Sequence, residues 1–234
     1  MCGRFVTPDQ AAAERAWHIG GRSRSPLADI FTPRYNVAPQ QGNPERYIPV
    51  IRKREDGTAE AVKMQWWLLP FWSKEPRVKY STFNARVETV VKAASFREPF
   101  KRRRCLIPAA GWFEWQALPS GKQPWFIHLA SGDAAMLAGL WDRWEKDGQV
   151  IESCSIVIGE ANKAISSFHD RSPFILTPDR YDPWLDRALT GADEVMKLLQ
   201  PVPDDALAFH RVSTRVSSAR TEGADLIEAI EMPV

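Results

Sequence analysis

Cysteine is scarce in this sequence: three among 234 residues, at Cys2, Cys105 and Cys154, with no Cys-x-x-Cys pair. An odd number without that spacing argues against a disulfide framework and a zinc site, so no metal or cofactor is expected and a reducing compartment fits. No apolar run approaches the roughly eighteen residues a membrane helix needs, and no basic start leads into an apolar stretch. Neither a membrane partner nor a secretory signal is expected, and the cytoplasm is the expected location. An excess of charge of one sign is also lacking, since 31 Lys and Arg face 29 Asp and Glu for a net +2. Whole-protein electrostatics therefore makes no case for nucleic acid, and only a local patch could. Internal repeats and low-complexity segments are absent.

What is present is ordinary in bulk, with 44% hydrophobic and 26% charged residues. Disordered, collagen-like and coiled-coil chains do not have that composition. The length suits one core, so residues 1–234 are read as a single domain; a monomer is the expected state. Ten tryptophans are the compositional oddity, and five of them fall between Trp66 and Trp115. Most belong in a core, but Trp72 sits in the turn-rich "LLPFWSKEPR", where an exposed indole can stack on an unpaired base. Two basic runs stand out, "IRKRE" from Ile51 and "FKRRRC", in which Lys101, Arg102, Arg103 and Arg104 are consecutive. Either run alone is more simply a solvated face.

Thr7, Pro8 and Gln10 have the form of a helix cap, first-turn proline and capping-box residue, predicting a helix over residues 8–19 stopped by Gly20 and Gly21. Residues 22–41, broken by Pro26, Pro33 and Pro39, read as irregular. "RYIPVIRKR" and "EAVKMQW", joined through Asp56 and Gly57, form a hairpin signal, because Asp-Gly supplies the positive φ of a tight turn. Strand-like runs follow in "RCLIPA", "GWFEWQ", "PWFIHL", "AMLAGLW", "QVIESCSIVIG", "PFILT" and "ALAFHRVS". Helices are expected over residues 88–95, 160–168 and 178–185, and over 192–199 after a capping Thr190. The class is α+β: mainly antiparallel sheets forming a sandwich or barrel-like core with peripheral helices.

Four residues draw attention for their chemistry. In "GWFEWQ" the period of two puts Glu114 on a face with Trp112 and Gln116. A carboxylate among indoles loses solvation and gains a raised pKa suited to general acid–base work; a buried Glu paired with an arginine is the plainer alternative. His169, in "SSFHDRSPF", lies at an element junction where an imidazole can move protons or simply hold a local hydrogen bond. His18, His128 and His210 have less to recommend them. "FNARVET" sets Asn84 and Arg86 on one face of an extended segment, fit to orient a substrate and hold a phosphate, or to be a turn Asn beside a salt-bridged Arg.

Cys2 is the fourth and most distinctive residue. Trimming of Met1 is expected before a small residue, and it would leave a thiol beside an α-amine that titrates near pH ~8. Such an aminothiol condenses with an aldehyde to an imine and closes through sulfur to a thiazolidine. The same terminus can also perform acyl transfer, with thiolate as nucleophile and amine as base.

Five blocks taken together, "MCGRF", "RYNVAP", "FNARVET", "RRCLIPAAGWFEW" and "FHDRSP", with a weaker "FHRVSTRV", resemble the SOS response-associated peptidase-like family in order along nearly the whole chain. The resemblance implies an enzyme of Schiff-base, lyase-like character that senses abasic sites in single-stranded DNA and crosslinks to them through Cys2, protecting the lesion. It also implies a cysteine peptidase activity limited to self-processing. By that resemblance Asn84 positions the reacting group, Glu114 assists ring opening and proton transfer, and His169 stabilises the sugar hydroxyl. Arg4 and Arg86 become backbone contacts, Trp72 a wedge between bases, and Lys101, Arg102 and Arg103 part of the DNA-binding surface. In a bacterium the location implied is the nucleoid.

The sequence departs from the family pattern at Trp67, where glycine is expected, at Ser73, where some relatives carry a second aromatic, and at Arg211, where proline is frequent. Two other readings stay open at this stage. A class II glutamine amidotransferase also starts Met-Cys-Gly, and a non-catalytic single-strand reader could be built from the basic runs and aromatics alone.

Overall fold

A computed structural model describes residues 2–17 and 30–230 of the chain. Its longer strands are the apolar runs of the sequence. β3 (Ile48–Lys53) and β4 (Ala59–Trp66) form the hairpin turned by Gly57, whose φ is +78°. β6 (Arg104–Ala109), β9 (Ala135–Lys146) and β10 (Gln149–Glu160) pair antiparallel in the order β6-β9-β10. β3 also pairs with β6, and β10 lies parallel to β4, so β4-β3-β6-β9-β10 closes into a five-stranded barrel. Three short strands extend it: β5 (Asn84–Arg86) and β11 (Arg171–Pro173) on β10, and β12 (Ile175–Leu176) on β9.

A second sheet has the order β13-β8-β7-β1-β2. It comprises β1 (Phe5–Thr7), β2 (Arg34–Val37), β7 (Gly111–Leu118), β8 (Gly121–Leu129) and β13 (Leu207–Arg211). One core joins the sheets through Phe5, Val37, Trp112 and Ile127 on one side and Ile48, Met64, Trp66, Cys105 and Ile156 on the other. A further core packs the opposite faces of the barrel strands against helices α2 (Arg97–Arg102), α3 (Pro178–Leu185) and α4 (Ala192–Met196). Burial on both faces explains why β6, after its first residue Arg104, reads as an unbroken apolar run rather than an alternating one. The expected class, α+β with a barrel-like core and peripheral helices, is the one found.

Several local expectations give way to tertiary context. The first helix, α1 (Gln10–Trp17), starts later than its capping signal suggested. Asp9 accepts from Ala12 N at 2.7 Å, while the Thr7 hydroxyl donates to Thr32 O and accepts from Arg34 N. That second bond helps recruit residues 34–37, read as irregular, into β2. The rest of the predicted helix, with Gly20, Gly21 and Pro26, lies outside the described residues. Residues 88–95 make a run of turns rather than a helix, in keeping with the β-branched Thr89, Val90 and Val91, and the helix forms just beyond them as α2. The expected helix over 160–168 is likewise absent: Glu160 ends β10 and residues 163–168 form turns, closed by Ile165 N and Ser166 N on Asn162 O and by His169 N on Ile165 O. The cap position of α4 is Gly191 rather than Thr190, and "PFILT" is split between β11 and β12.

At Gly139 the barrel strands approach closely. A β-carbon there would come within 2.7 Å of Cys105 Sγ and 2.9 Å of Ile107 Cδ1. Gly139→Ala is therefore expected to destabilise by about 1–3 kcal/mol through overpacking. An unchanged midpoint in urea denaturation would show that the barrel has slack there.

Candidate active site

Strand pairing brings the amino-terminal segment to Glu114. β1 runs antiparallel to β7 with Phe5 opposite Trp112 and Val6 opposite Gly111, and Phe113 N donates to Arg4 O at 3.0 Å. Continuing that register sets Gly3 opposite Glu114, with Cys2 next along. From the barrel side, β5 runs parallel to β10 and aims Asn84 at the same point, where its Nδ2 donates to Cys2 O at 2.9 Å. Asn84 Oδ1 is buried without a hydrogen-bond partner among the described residues, an acceptor held ready in the site.

His169 arrives at the end of the 162–168 turns, with Nε2 4.0 Å from Glu114 Oε2. This is too long for a hydrogen bond and short enough for a reacting atom between the two to touch both. Its Nδ1 accepts from Arg171 N at 3.0 Å, which leaves the proton of a neutral ring on Nε2, facing Glu114. The Asp170 carboxylate lies 2.9 Å from the same Nδ1 and bonds to it only when that nitrogen carries a proton. Gln116 ties the turns to β7 by donating to Ser167 O at 3.4 Å while accepting from Trp125 Nε1 at 3.1 Å.

The electrostatics follow from burial. Glu114 is 1% exposed, and desolvation pushes its carboxyl up to about 7, against the pull of the positive amino terminus. The Cys2 thiol, wholly buried, is raised well beyond the ordinary thiol range, by desolvation first and by the charge of Glu114 second. His169 is lowered, chiefly by burial and then by the amino terminus. The site thus holds a neutral thiol, an imidazole that resists protonation and a carboxyl that exchanges a proton near neutrality. Glu114 has histidine beside it rather than the arginine of the plainer alternative.

Over residues 1–219 the sequence matches the SOS response associated peptidase (SRAP) family. The chain belongs to that family. Among curated SRAP relatives, abasic site processing protein YoqW of Bacillus subtilis is 35% identical over 98% of this chain and 100% of its own length. Abasic site processing protein HMCES of Gallus gallus is 31% identical over 100% of this chain and 79% of its own. A crystal structure of a Bacteroides thetaiotaomicron protein, 24% identical, superposes with a TM-score of 0.81 over 99% of this chain and 100% of that one, so the SRAP fold is shared.

The residues expected to contact DNA lie in varied surroundings on this SRAP scaffold. Trp72 is 47% exposed beside Phe71 at 52%, its Nε1 donating to Ala94 O at 3.3 Å. The loop carrying both rings is held by barrel side chains: Asp142 accepts from Phe71 N, Ser153 from Leu69 N, and Trp144 Nε1 donates to Ser73 O. Trp67, in the place of a family glycine, needs no positive φ; its indole donates to Tyr80 O at 3.1 Å and packs on Phe83, next to Asn84. Arg86 is exposed at the end of β5.

The basic run divides. Lys101 and Arg102 are exposed at the end of α2, and Arg103 pairs with the buried Asp142 at 3.1 Å. Arg104 turns inward, donating to the carbonyls of Phe100, Lys101, Trp184, Asp186 and Leu189. Arg4 donates to Asn36 Oδ1 at 2.9 Å and to Val216 O at 2.8 Å, clamping the turn of residues 214–217 to the sheet. Sequence reading missed Asp142, Asp170 and Asn36. Of these only Asp170, adjacent to His169, left a local signal.

Proposed function

We propose that this protein captures abasic sites in single-stranded DNA by covalent attachment through Cys2, acting as a monomer. The observation that carries the reading is the meeting of Asn84, Glu114 and His169 around Cys2, supported by the names of the SRAP relatives. The open form of an abasic sugar is an aldehyde. With Met1 removed, the Cys2 amine adds to its carbonyl carbon, and the resulting carbinolamine loses water to give an imine. Glu114, whose carboxyl burial raises to about 7, supplies the proton that the departing hydroxyl needs. The thiol then adds across the C=N bond, sulfur to carbon and proton to nitrogen, closing a thiazolidine without any oxidant or reductant. Glu114 relays that proton, since the buried thiol does not ionise by itself at neutral pH. Asn84 holds the Cys2 backbone, and His169 Nε2–H is oriented to donate to the sugar hydroxyl. Removal of Met1, the self-processing step that the family name suggests, precedes capture.

The direct test is a denaturing gel of protein whose intact mass shows loss of Met1, incubated with a single-stranded oligonucleotide carrying one abasic site. A slow-migrating, boil-stable band that needs the lesion is expected. Its absence, with ammonia released from glutamine instead, would move the assignment to an amidotransferase.

Arg4, Arg86, Lys101, Arg102 and Arg103 are assigned to the strand backbone and Trp72 to a stacking wedge. Reversing Lys101 and Arg102 to glutamate should flatten the plot of log K against log salt by about 0.7 for each phosphate no longer neutralised. A slope equal to that of the wild type would remove these two residues from the interface.

A further inference from the structure

The face of the second sheet that carries Glu114 continues outward into an aromatic and cationic surface that the capture chemistry does not use. Glu114 on β7 is in register with Trp125 on β8, and Trp125 with Arg211 on β13. Directly opposed residues in neighbouring strands share a face, so the three side chains form one row across the sheet. β13 is the edge strand, and burial falls along the row from the enclosed Glu114 to the partly exposed Trp125 and Arg211.

The row is rigid. The Arg211 guanidinium lies 5.2 Å from the centroid of the Trp125 ring, and Phe168, which immediately precedes His169, stacks on that indole at 4.3 Å and 19°. Phe209, two residues before Arg211 and on the same face, meets Phe168 edge-on at 4.9 Å and remains 38% exposed. An exposed ring beside an arginine fixed over an indole is complementary to a base and its phosphate, the two repeating groups of a single strand. With strands about 4.8 Å apart, Arg211 lies about 10 Å from Glu114, or about three stacked nucleotide steps of about 3.4 Å.

We propose that Phe209 and Arg211 form a flanking-strand subsite, Phe209 stacking on a base and Arg211 binding a backbone phosphate within about three nucleotides of the captured lesion. The subsite rests on the function proposed above.

The test is binding of a single-stranded oligonucleotide carrying a tetrahydrofuran abasic analogue, which has no aldehyde and so reports noncovalent affinity, as a function of salt. Arg211→Gln should lower the magnitude of the salt slope by about 0.7, and Arg211→Lys should keep the wild-type slope. Phe209→Ala should weaken binding about tenfold with the slope unchanged, the loss of one base–aromatic stack. Thermal melts establish that each variant is folded, and the surface pair at Arg211 decides the question if Phe209→Ala is not. Wild-type slope and affinity in Arg211→Gln would overturn the subsite. A parallel gel with the aldehyde-bearing oligonucleotide separates the two readings. A wild-type crosslink alongside an unchanged Arg211→Gln slope overturns the subsite alone, and no wild-type crosslink overturns the capture reading and the subsite with it.

Discussion

Cys2→Ala should leave no boil-stable band with an abasic oligonucleotide under conditions where the wild type is fully converted. In an alanine variant whose intact mass shows that Met1 has been trimmed, as is expected before a small residue, an α-amine remains, so the imine can still form, but nothing closes onto its carbon. Borohydride should therefore restore a band by reducing that imine to a secondary amine. The pair of outcomes locates sulfur at the ring-closing step rather than at first attack. A boil-stable band in Cys2→Ala without reductant would exclude the thiazolidine. Folding should change little, since Cys2 behaves as a small buried apolar side chain and its thiol stays neutral.

Glu114→Gln carries the second large effect. Removing a positioned general acid–base group typically costs about 10²- to 10⁴-fold in rate, so crosslinking should slow by at least about 100-fold while affinity for the tetrahydrofuran oligonucleotide stays within a few-fold. The wild-type rate should bend near pH 7, where the Glu114 carboxyl titrates, and the glutamine variant should lack that bend.

Stability gives an independent reading of the same carboxyl. Its pKa rises from 4.5 to about 7 on folding, so the folded state binds the proton more tightly than the unfolded one. The associated stability is full below pH 4.5 and lost as pH rises to 7, a difference of about 3 kcal/mol at about 1.4 kcal/mol per pKa unit. Glutamine does not titrate, so Glu114→Gln should melt progressively higher than wild type as pH rises through that window. A gap in melting temperature that is constant from pH 4 to 8 would mean that Glu114 titrates normally. A large loss of stability at every pH would assign the residue to structure rather than to proton transfer.

Much of this protein was legible from local sequence because the determining physics is local. Asp56-Gly57 turns the β3–β4 hairpin, since glycine accepts the φ of +78° found there. "RCLIPA" coincides with β6, which is covered on both faces and so is apolar from Cys105 onward. The alternation in "GWFEWQ" correctly separated Glu114 and Trp112 from Phe113, which packs in a different core. The helix signals failed where a residue had a stronger use elsewhere. The Thr7 hydroxyl binds across to Thr32 and Arg34 instead of capping α1.

The site itself was decided by tertiary structure. Asn84 lies 82 positions from the carbonyl it holds, and no local pattern encodes that distance; the β1–β7 and β5–β10 pairings do. The same is true of charge. Lys101 through Arg104 are equivalent basic residues in sequence, yet the end of α2 and the start of β6 fall within the run, leaving two exposed, one paired with Asp142 and one buried among carbonyls. Arg4 is fastened to Asn36 and Val216, contacts that no local pattern announced. Residue type and spacing determined which groups are chemically capable: an aminothiol, a carboxyl among indoles, an imidazole. Strand register and desolvation, which depend on residues far apart in the chain, decided which of them meet and in what protonation state.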